Sequence, residues 1–555
     1  MVEQTRQETS VEVAKRASDY LRGTLLEEME NASPKFDGDS EQLLKFHGVY
    51  AQDNRDVRRE RSLAGEELEH IFMTRVVVPG GFLTSEQWLA LDAASDTVAD
   101  GTIRLTTRQA IQYHGTIKSG LQSLARQLDE VLMTSFGGCG DVVRNVVMCP
   151  DLQIPEADPY IVEVANAIAE RFRPTTTAHW EIFVDGQRAA SREVVNEHSF
   201  YGDTYLPRKF KIAIAHPHEN CVDVFAQDLG MIPGSHPSLG EGFTFVVGGG
   251  LGRNYAHEHT FARLGEVLGF VPRANVEEVI ATVVDAYKDL GDRTDRKRAR
   301  LKYVLADAGL EAFRAEIHQR LGYELADALP LPANFDRSDH LGWHGHDDGT
   351  WRVGVRVAAG RIRDDETSQT RTALRKIAQA LPVKFFLTPQ QDIIIDGVSA
   401  DERPFVDQLL RDASVREAET LGSIERTALA CPALPTCGQA LTESERVLGS
   451  VVTQFESALS ARGLERRPVA LRMTGCPNGC ARPAVAEIGI VGRTKSTYDI
   501  YVGGSRQGDR LATLFQEKVK LADLADAVAP LFDAWQSDGM VDEAFGDFAN
   551  RWSSK

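Results

Sequence analysis

Four of the seven cysteines in this 555-residue chain lie in the segments CPALPTC and TGCPNGC. Five residues separate Cys431 from Cys437, and three separate Cys476 from Cys480. Thiolates grouped in this way are natural ligands of iron–sulfur clusters and of zinc. Zinc sites favour tighter Cys-x2-Cys pairs, whereas looser loops with Gly and Pro suit a larger cluster. The spacing therefore favours an iron–sulfur cluster, with structural zinc or unliganded thiols as the alternatives.

The remaining cysteines, Cys139, Cys149 and Cys221, are scattered along the chain. An odd and sparse set of this kind is not typical of the disulfide framework of a secreted protein. A free cysteine often behaves as a small buried hydrophobic residue. We expect this for Cys149 and Cys221.

The charge balance and the hydropathy pattern exclude several classes of protein. The chain has 62 Lys and Arg against 81 Asp and Glu, a net charge of −19. A general nucleic-acid binder would need an excess of basic residues. No apolar run approaches the roughly 18 residues of a membrane span, and the polar N-terminus resembles neither a signal nor a transit peptide. We therefore expect a soluble, cytoplasmic protein without nucleic-acid or membrane partners.

The predicted elements alternate between strands and helices, and their order returns later in the chain. IFMTRVVVPGG reads as a strand and turn, SEQWLALDAASDTVAD as a helix capped by Ser85, and GTIRLTTRQAIQYHG as one or two strands. Near residue 350 the same order reappears in WRVGVRVAAGRI, TRTALRKIAQAL and FFLTPQQDIIIDG. A weaker repeat links residues 205–253 with 467–506, and the Pro-rich residues 328–335 suggest a linker. A pseudo-twofold β/α architecture is expected.

The stronger repeat is chemically asymmetric. IRLTTRQAIQYHG aligns with FFLTPQQDIIIDG without a gap, but Arg104 and Arg108 of the first copy become Phe386 and Gln390 in the second. A purely structural repeat has no need to lose charge on one side. We infer that the first copy keeps an anion site and that the second keeps only the scaffold.

Nine blocks in order resemble the sirohaem-containing sulfite and nitrite reductases over nearly the full length of the chain. They are LLKFHGVYAQDNRD, RLTTRQAIQYHG, GGCGDVVRNV, YLPRKFKIA, VVGGGLGR, DRKRARLKY, CPALPTC, RMTGCPNGCARP and the final FGDF. The run TGCPNGCARP is most similar to assimilatory sulfite reductases, particularly the ferredoxin-dependent kind. Among an iron–sulfur cluster, structural zinc and unliganded thiols, the resemblance implies a [4Fe–4S] cluster. It also implies sirohaem.

The resemblance also implies the architecture. It implies an α/β (α+β) fold in three parts, with mixed sheets covered by helices and an internal pseudo-twofold repeat. The expected division comprises residues 1–70 as an N-terminal extension, 71–158 with 340–405 as paired ferredoxin-like repeats forming one domain, 159–335 as a central sirohaem and substrate domain, and 406–555 as a C-terminal domain for the cluster and sirohaem.

Site residues follow from the matching positions of the family. The cluster ligands implied are Cys431, Cys437, Cys476 and Cys480, with the Cys480 thiolate bridging to the sirohaem iron. The cations implied for the substrate oxyanion are Arg75, Arg144, Lys209 and Lys211, where fixed charge would bind the anion and Lys could deliver protons. The residues implied for the carboxylate-rich sirohaem are Arg104, Thr106, Arg108, Gln112, His114, Asn478 and Cys480, because buried charges must be paired. A Tyr–Cys crosslink, known from relatives, is a further possibility for Tyr50 and Cys139.

The expected activity is the six-electron reduction of sulfite to sulfide with electrons from ferredoxin. The chain has no evident nucleotide-binding motif of its own, so electrons must come from a partner. Acidic ferredoxin would need a local basic patch on this acidic chain. The alternatives are reduction of nitrite to ammonia, a haemoprotein subunit served by an NADPH-dependent flavoprotein, and a zinc-stabilised binding protein with no catalysis.

Overall fold

The computed structural model describes residues 7–174, 176, 181–184, 187–191 and 200–553. In this part of the chain, sixteen α-helices surround five β-sheets. The helices are α1 Ser10–Arg16, α2 Leu25–Glu30, α3 Gly38–Leu44, α4 Arg58–Ala64, α5 Ser85–Val98, α6 Leu121–Asp129, α7 Pro159–Arg171, α8 Val276–Leu290, α9 Leu301–Ala308, α10 Leu310–Leu321, α11 Thr370–Ala380, α12 Arg403–Asp412, α13 Ser423–Thr427, α14 Leu448–Ser460, α15 Leu524–Asp538 and α16 Phe545–Ser553.

The strands are β1 Val49–Asp53, β2 His70–Val76, β3 Phe82–Thr84, β4 Ile103–Leu105, β5 Ile111–Thr116, β6 Val147–Met148, β7 Glu181–Val184, β8 Gln187–Ser191, β9 Ile212–Ile214, β10 Leu229–His236, β11 Gly240–Val247, β12 Glu266–Pro272, β13 Gly342–Gly345, β14 Trp351–Val355, β15 Arg361–Ile362, β16 Lys384–Leu387, β17 Ile393–Val398, β18 Leu429–Ala430, β19 Leu471–Thr474, β20 Ile488–Thr494, β21 Thr497–Val502 and β22 Thr513–Lys520. Among the described residues, no helix is both long enough and apolar enough to cross a lipid bilayer.

Two five-stranded sheets carry the stronger repeat, and they exchange strands. Their orders are β1-β2-β5-β4-β15 and β13-β14-β17-β16-β3. The short strand β3 of the first copy pairs with β16 of the second, and β15 of the second pairs with β4 of the first. The paired arrangement confirms the predicted internal repeat.

Equivalent glutamines join the two copies of this repeat. Gln109 and Gln391 both have a positive φ, 50° and 68°, at equivalent positions of the two turns. Gln109 Nε2 donates to the Leu387 carbonyl (2.7 Å), and Gln391 Nε2 donates to the Leu105 carbonyl (3.5 Å) and to the Ala430 carbonyl (3.0 Å). Each turn is thus held by the strand end of the other copy.

The weaker repeat forms two further five-stranded sheets, β12-β11-β10-β9-β6 and β18-β19-β20-β21-β22. In each sheet three strands run parallel and the last two pair antiparallel. Parallel neighbours present their carboxyl ends at the same edge of a sheet. The loops that follow β18 and β19 therefore leave the sheet side by side.

Two local predictions need correction. The cap of α5 is Thr84, not Ser85: Thr84 Oγ1 accepts from the Gln87 N–H (3.1 Å), and Gln87 closes a capping box by binding back to Thr84. The spacing of PRKFK predicts a strand on which Lys209 and Lys211, two residues apart, share one side, but the strand begins only at Ile212. The two lysines lie in the segment leading into β9, where Phe210 forms an isolated bridge with Val143.

Candidate active site

The four C-terminal cysteines converge at the edge of the β18–β22 sheet. Cys431 directly follows β18, and Cys476 lies two residues beyond β19, its parallel neighbour. Burial, and after it the neighbouring Cys480 thiol, raises the pKa of Cys437 and raises that of Cys476 to about 12. Thiols this buried stay protonated unless a metal displaces the proton. The donor set thus suits a metal cluster.

Backbone contacts fix the loops that carry these cysteines. The Gly475 N–H points at Cys431 Sγ (3.3 Å), and Thr107 Oγ1 donates to the Cys480 carbonyl (3.1 Å). Arg55 donates to the carbonyls of Cys437 (3.0 Å) and Ala440 (2.7 Å). Groups from distant parts of the chain therefore hold the thiol loops in place.

Asn478 lies between the last two cysteines, in the loop that meets the Gly-rich segment after β11. The Arg253 N–H donates to the Pro477 carbonyl (3.0 Å), and a Cβ on Gly252 would lie 3.1 Å from the Asn478 carbonyl oxygen. Asn478 itself is exposed. The loop between Cys476 and Cys480 therefore contacts the segment that follows β11 of the central sheet.

Arg75 and Arg144 lie on either side of the segment that carries Cys139. Arg75 Nη1 lies 3.1 Å from Cys139 Sγ, and Arg144 Nε donates to the Gly140 carbonyl (2.9 Å). Burial lowers the pKa of Arg75, but Cys139, Tyr50 and Cys480 together raise it above its usual value. This effect of Cys480 places the Arg75 guanidinium near the cluster thiols.

Lys209 and Lys211, which are both half-buried, add two cations to the same region. Burial lowers the pKa of each well below its usual value; the adjacent Arg208 depresses that of Lys209 further, and Arg108 that of Lys211. Among the described residues, neither ammonium group makes a hydrogen bond. Asp228 and Cys480 act in the opposite direction on Lys211, which places its side chain near the thiol. Two unpaired cations in a buried site are suited to binding an anion.

The segment GTIRLTTRQAIQYHG, which carries Arg104 and Arg108, forms two strands, β4 and β5, joined by a turn. Thr106 Oγ1 accepts from the N–H groups of Arg108 (3.2 Å) and Ala110 (3.1 Å), which shapes the turn between β4 and β5. Arg108 donates to the Asn145 carbonyl (2.6 Å) and to Gln227 Oε1 (2.9 Å), and burial lowers its pKa to about 9. Arg108 thus reaches across to the central sheet.

Arg104 lies on β4 and supports the cysteine loop directly. Its Nη2 donates to the Ala430 carbonyl (2.8 Å), one residue before Cys431, and its Nε is paired with Glu445 Oε2 (3.0 Å). Gln112 Oε1 accepts from Arg104 Nη1 (3.2 Å). Arg104 therefore has protein partners on every side in this structure.

His114, on β5, is buried, and within the described part of the chain neither of its ring nitrogens has a hydrogen-bond partner. The same holds for Nε of Arg75 and of Arg108. Buried polar atoms without partners are uncommon and call for an unseen group. With the two unpaired ammonium groups, they fit a bound group rich in carboxylates. Sirohaem is such a group, so the residues present fit it.

Tyr50 and Cys139 lie close together beside Arg75. Burial, followed by the Cys139 thiol, raises the pKa of Tyr50, whereas Arg144 and Arg75 lower it. The thiol is fully buried. Tyr50 is on β1, opposite Met73 of β2. The sequence-predicted pair is thus brought together at the site.

Buried carboxylates that no sequence motif indicated organise the cations. Asp223 is paired with Arg337 (2.5 Å), Arg472 (2.7 Å) and Arg482 (3.0 Å), and Asp228 is paired with Arg300 (2.5 Å). Asp223 and Arg482 each precede a short 3-10 turn in their copy of the weaker repeat, and both have a positive φ. Aligning that repeat residue by residue would have pointed to the pair.

Comparison with known proteins identifies the family. The model of the nitrite and sulphite reductase 4Fe-4S domain matches residues 163–325 and 422–553, and the model of the nitrite/sulfite reductase ferredoxin-like half domain matches residues 65–131. The ferredoxin-type sulfite reductase of Synechococcus elongatus is 39% identical over 98% of this chain and 89% of its own. The NADPH sulfite reductase haemoprotein beta-component of Staphylococcus carnosus is 38% identical over 97% of this chain and 94% of its own.

The solved structure of the NirA protein of Mycobacterium tuberculosis has the same fold. It superimposes with a TM-score of 0.79 at 24% identity and covers 98% of this chain and 97% of its own. Fold and site define an oxidoreductase that works with sirohaem and a [4Fe–4S] cluster. The chain belongs to the nitrite and sulphite reductase family.

Proposed function

We propose that this protein reduces sulfite to sulfide with six electrons supplied by ferredoxin. The observation that carries the proposal is the pair of unpaired ammonium groups, Lys209 and Lys211, beside Arg144 and the Cys480 thiol. A small oxyanion needs fixed cations to bind, and its oxygens need protons to leave as water. The names of the relatives above support sulfite as the substrate.

Each cation has a distinct role in this proposal. Arg75 and Arg144 offer planar, permanently charged donors that bind sulfite oxygens. Lys209 and Lys211 neutralise the charge that grows on a departing oxygen and donate protons to it. Sirohaem coupled to the cluster supplies electrons to the bound anion. Because the cations are fixed before the anion arrives, they need little reorganisation during the reaction.

The cofactor ligands are part of the proposal. We assign the cluster to Cys431, Cys437, Cys476 and Cys480, with the Cys480 thiolate shared with the sirohaem iron. The sirohaem carboxylates are assigned to the donors without partners at His114 and Arg108, with further contacts from Thr106, Gln112 and Asn478, which the resemblance implied. Arg104 was implied too, but in this structure protein groups occupy its donors, so we assign it to positioning the strand before Cys431. The support is the convergence of the thiols and the surplus of buried donors around them.

A basic segment beside the cluster loop supports ferredoxin as the donor. Arg55 binds the carbonyls of Cys437 and Ala440, and the helix that follows, α4, presents Arg58, Arg59 and Arg61. We propose that an acidic partner docks on these side chains, which follow the arginine bound to the cluster loop; Arg58 and Arg61 also have acidic neighbours in Asp53 and Glu66. Electrostatic complementarity of this kind mainly raises the association rate.

The substrate is tested by steady-state kinetics of the purified holoenzyme with reduced methyl viologen, which removes the donor from the comparison. We expect a higher kcat/KM for sulfite than for nitrite. A higher kcat/KM for nitrite, with ammonia as the product, would contradict the proposal and favour a nitrite reductase.

The donor is tested separately with reduced ferredoxin and with NADPH plus a flavoprotein reductase. Reversing the charge at Arg58, Arg59 and Arg61 to Glu should raise KM for ferredoxin and leave the methyl viologen rate unchanged. The matched control reverses Lys518 and Lys520, which are exposed on β22 at the opposite edge of the cysteine-bearing sheet. Equal effects of the two sets, or turnover with NADPH and flavoprotein alone, would contradict ferredoxin docking at α4.

A further inference from the structure

A second group of metal-ligating side chains lies apart from the four cluster cysteines. Within the described residues, one such group has its ligand atoms all within 4.8 Å of one another, and we name it the Cys149 cluster: Cys149, Glu219, Cys221 and His340. Cys149 and Cys221 were expected to be small buried hydrophobic residues. Both are fully buried, but each lies beside polar ligand atoms rather than in a purely apolar core.

The Cys149 cluster has the chemistry of a closed zinc site. It offers two sulfurs, one imidazole nitrogen and one carboxylate oxygen, all of which bind zinc in proteins. With Zn–S bonds of about 2.3 Å, a tetrahedral site brings its ligand atoms to within about 4 Å of one another. Cys149 Sγ lies 2.5 Å from Glu219 Oε1, and His340 Nε2 lies 3.3 Å from that same oxygen. The four groups therefore already point at one small volume.

His340 faces the other ligands from a constrained position. Its buried Nε2 lies 3.3 Å from Glu219 Oε1, in an orientation that does not make a hydrogen bond. Its backbone has φ 59°, a left-handed conformation that few residues other than glycine adopt unless their surroundings enforce it. The strand opposite also packs tightly here, since a Cβ on Gly354 would lie 1.8 Å from the His340 carbonyl oxygen. The ring is thus held in an unfavourable backbone conformation that aims Nε2 at the cluster.

The outer contacts are those of a metal-bound histidine. His340 Nδ1 faces Asp151 Oδ1 at 3.3 Å, and Arg352 Nη1 holds the same Asp151 oxygen at 2.6 Å. A ligating histidine commonly directs its second nitrogen to a carboxylate, which fixes the ring orientation and the tautomer. Asp151 and Arg352 would perform that role here.

We propose that the Cys149 cluster binds a structural zinc ion. All four protein ligands would fill the tetrahedron, which leaves no open position for a reactant, so the role is structural rather than catalytic. The ion would join three separate segments: the end of β6, the loop after β9 and the chain entering β13. Those segments connect the central sheet to the second ferredoxin-like half.

Zinc in the Cys149 cluster would also stabilise the loop formed by residues 221–223, which contacts the candidate active site. The Cys221 carbonyl accepts from Gln390 Nε2 (2.9 Å), and the next carbonyl, that of Val222, accepts from Arg482 Nη1 (3.2 Å). Asp223, which gathers three arginines, follows immediately. A metal at Cys221 would therefore anchor the loop on which these arginines depend.

The test is elemental analysis of the holoenzyme purified from zinc-supplemented medium, with zinc and iron measured in the same sample. We expect about one zinc per chain, retained on dialysis against EDTA, with two Zn–S distances of about 2.3 Å in zinc X-ray absorption. The double variant C149S/C221S should lose the zinc. The matched control H344Q alters a nearby histidine, bound to the Leu341 carbonyl (3.1 Å) and outside the cluster, and should retain it.

The wild-type measurements stand even if the double variant fails to fold. Zinc below about a tenth of one ion per chain would overturn the proposal, as would an absorption spectrum with only oxygen and nitrogen ligands. A Cys149–Cys221 disulfide in non-reduced peptide maps would also overturn it. Iron content and sulfite turnover do not enter this readout, so the zinc proposal and the proposed reductase function can fail separately.

Discussion

Replacement of Lys211 by alanine separates a catalytic role from a structural one. The Lys211 ammonium has no hydrogen bond among the described residues, while its backbone N–H donates to Asp228 Oδ2 (2.9 Å). The substitution keeps that N–H, and Asp228 keeps its ion pair with Arg300 (2.5 Å). Lys211→Ala therefore removes a half-buried charge without leaving a carboxylate unpaired, and the free energy of unfolding should not fall.

The kinetic effect should be large. Loss of one preorganised donor to developing charge typically costs about 2.7–4 kcal/mol, or about 10²–10³ in rate. In contrast, Arg300→Ala would leave Asp228, which is fully buried, without its cation. Breaking a buried pair in this way costs about 3–5 kcal/mol of stability. We therefore expect Lys211→Ala to be slow but stable, and Arg300→Ala to be unstable.

The assay is kcat/KM for sulfite with reduced methyl viologen, alongside iron content, the visible spectrum and a denaturant unfolding curve. Lys118→Ala serves as the matched control, because this buried ammonium binds Asn31 Oδ1 (2.9 Å) and the Ser33 carbonyl (2.9 Å) away from the site. The control should lose stability but keep its sulfite kinetics. A Lys211→Ala enzyme with full cofactor content and kcat/KM within about threefold of wild type would refute the assignment, because it lacks the 10²–10³ loss expected of a missing donor.

Three further experiments test other parts of the structure. Cys480→Ser should abolish sulfite turnover, and it should abolish the magnetic coupling between the two iron centres that electron paramagnetic resonance detects. Turnover at the wild-type rate would show that Cys480 is not the shared ligand. If Tyr50 and Cys139 are joined through a ring carbon and the sulfur, peptide mass spectrometry after reduction should find them in one crosslinked species; separate peptides with a fully alkylated Cys139 would exclude the bond. Asp92→Asn should lower the free energy of unfolding by about 3–5 kcal/mol. The reason is that Asp92 on α5 is buried and binds Arg371 Nε of α11 (2.6 Å). A denaturant midpoint equal to that of the wild type would contradict this prediction.

The repeat could be predicted from sequence because its signal is local and in register. IRLTTRQAIQYHG and FFLTPQQDIIIDG align without a gap, and the strand–turn–strand of each copy follows from that alignment. The strand exchange could not be predicted, since β3 and β15 have three and two residues and pair with strands far away in sequence. The α5 cap needed one more observation: only Thr84 has a Gln three residues later to close the capping box.

The site was predictable where residue type and spacing alone indicate chemistry. Closely spaced cysteines and the arginines of the first repeat copy stand out from spacing alone, whereas Arg75 and Lys211 were implied only by the resemblance to the family. In the structure Cys480 lies near Arg75 and near Lys211. Asp223 does not stand out, because its three arginine partners come from distant segments and a lone aspartate has no periodic signature. The Cys149 cluster was missed for the same reason: its four ligands come from three segments, and only Glu219 and Cys221 are close in sequence.

The two copies of the stronger repeat have the same residue where both make the same structural contact, and different residues where their neighbours differ chemically. Gln109 and Gln391 remain identical because each binds the strand end of the opposite copy, a contact that both halves need. At the other matched positions the demands differ. Arg104 supports the strand before Cys431 and Arg108 faces the cation site, whereas Gln390, the counterpart of Arg108, donates to the Cys221 carbonyl beside the proposed zinc. The loss of charge in the second copy therefore follows from its neighbours: that half contacts the backbone of a buried loop, where a guanidinium without an anion would be costly to bury.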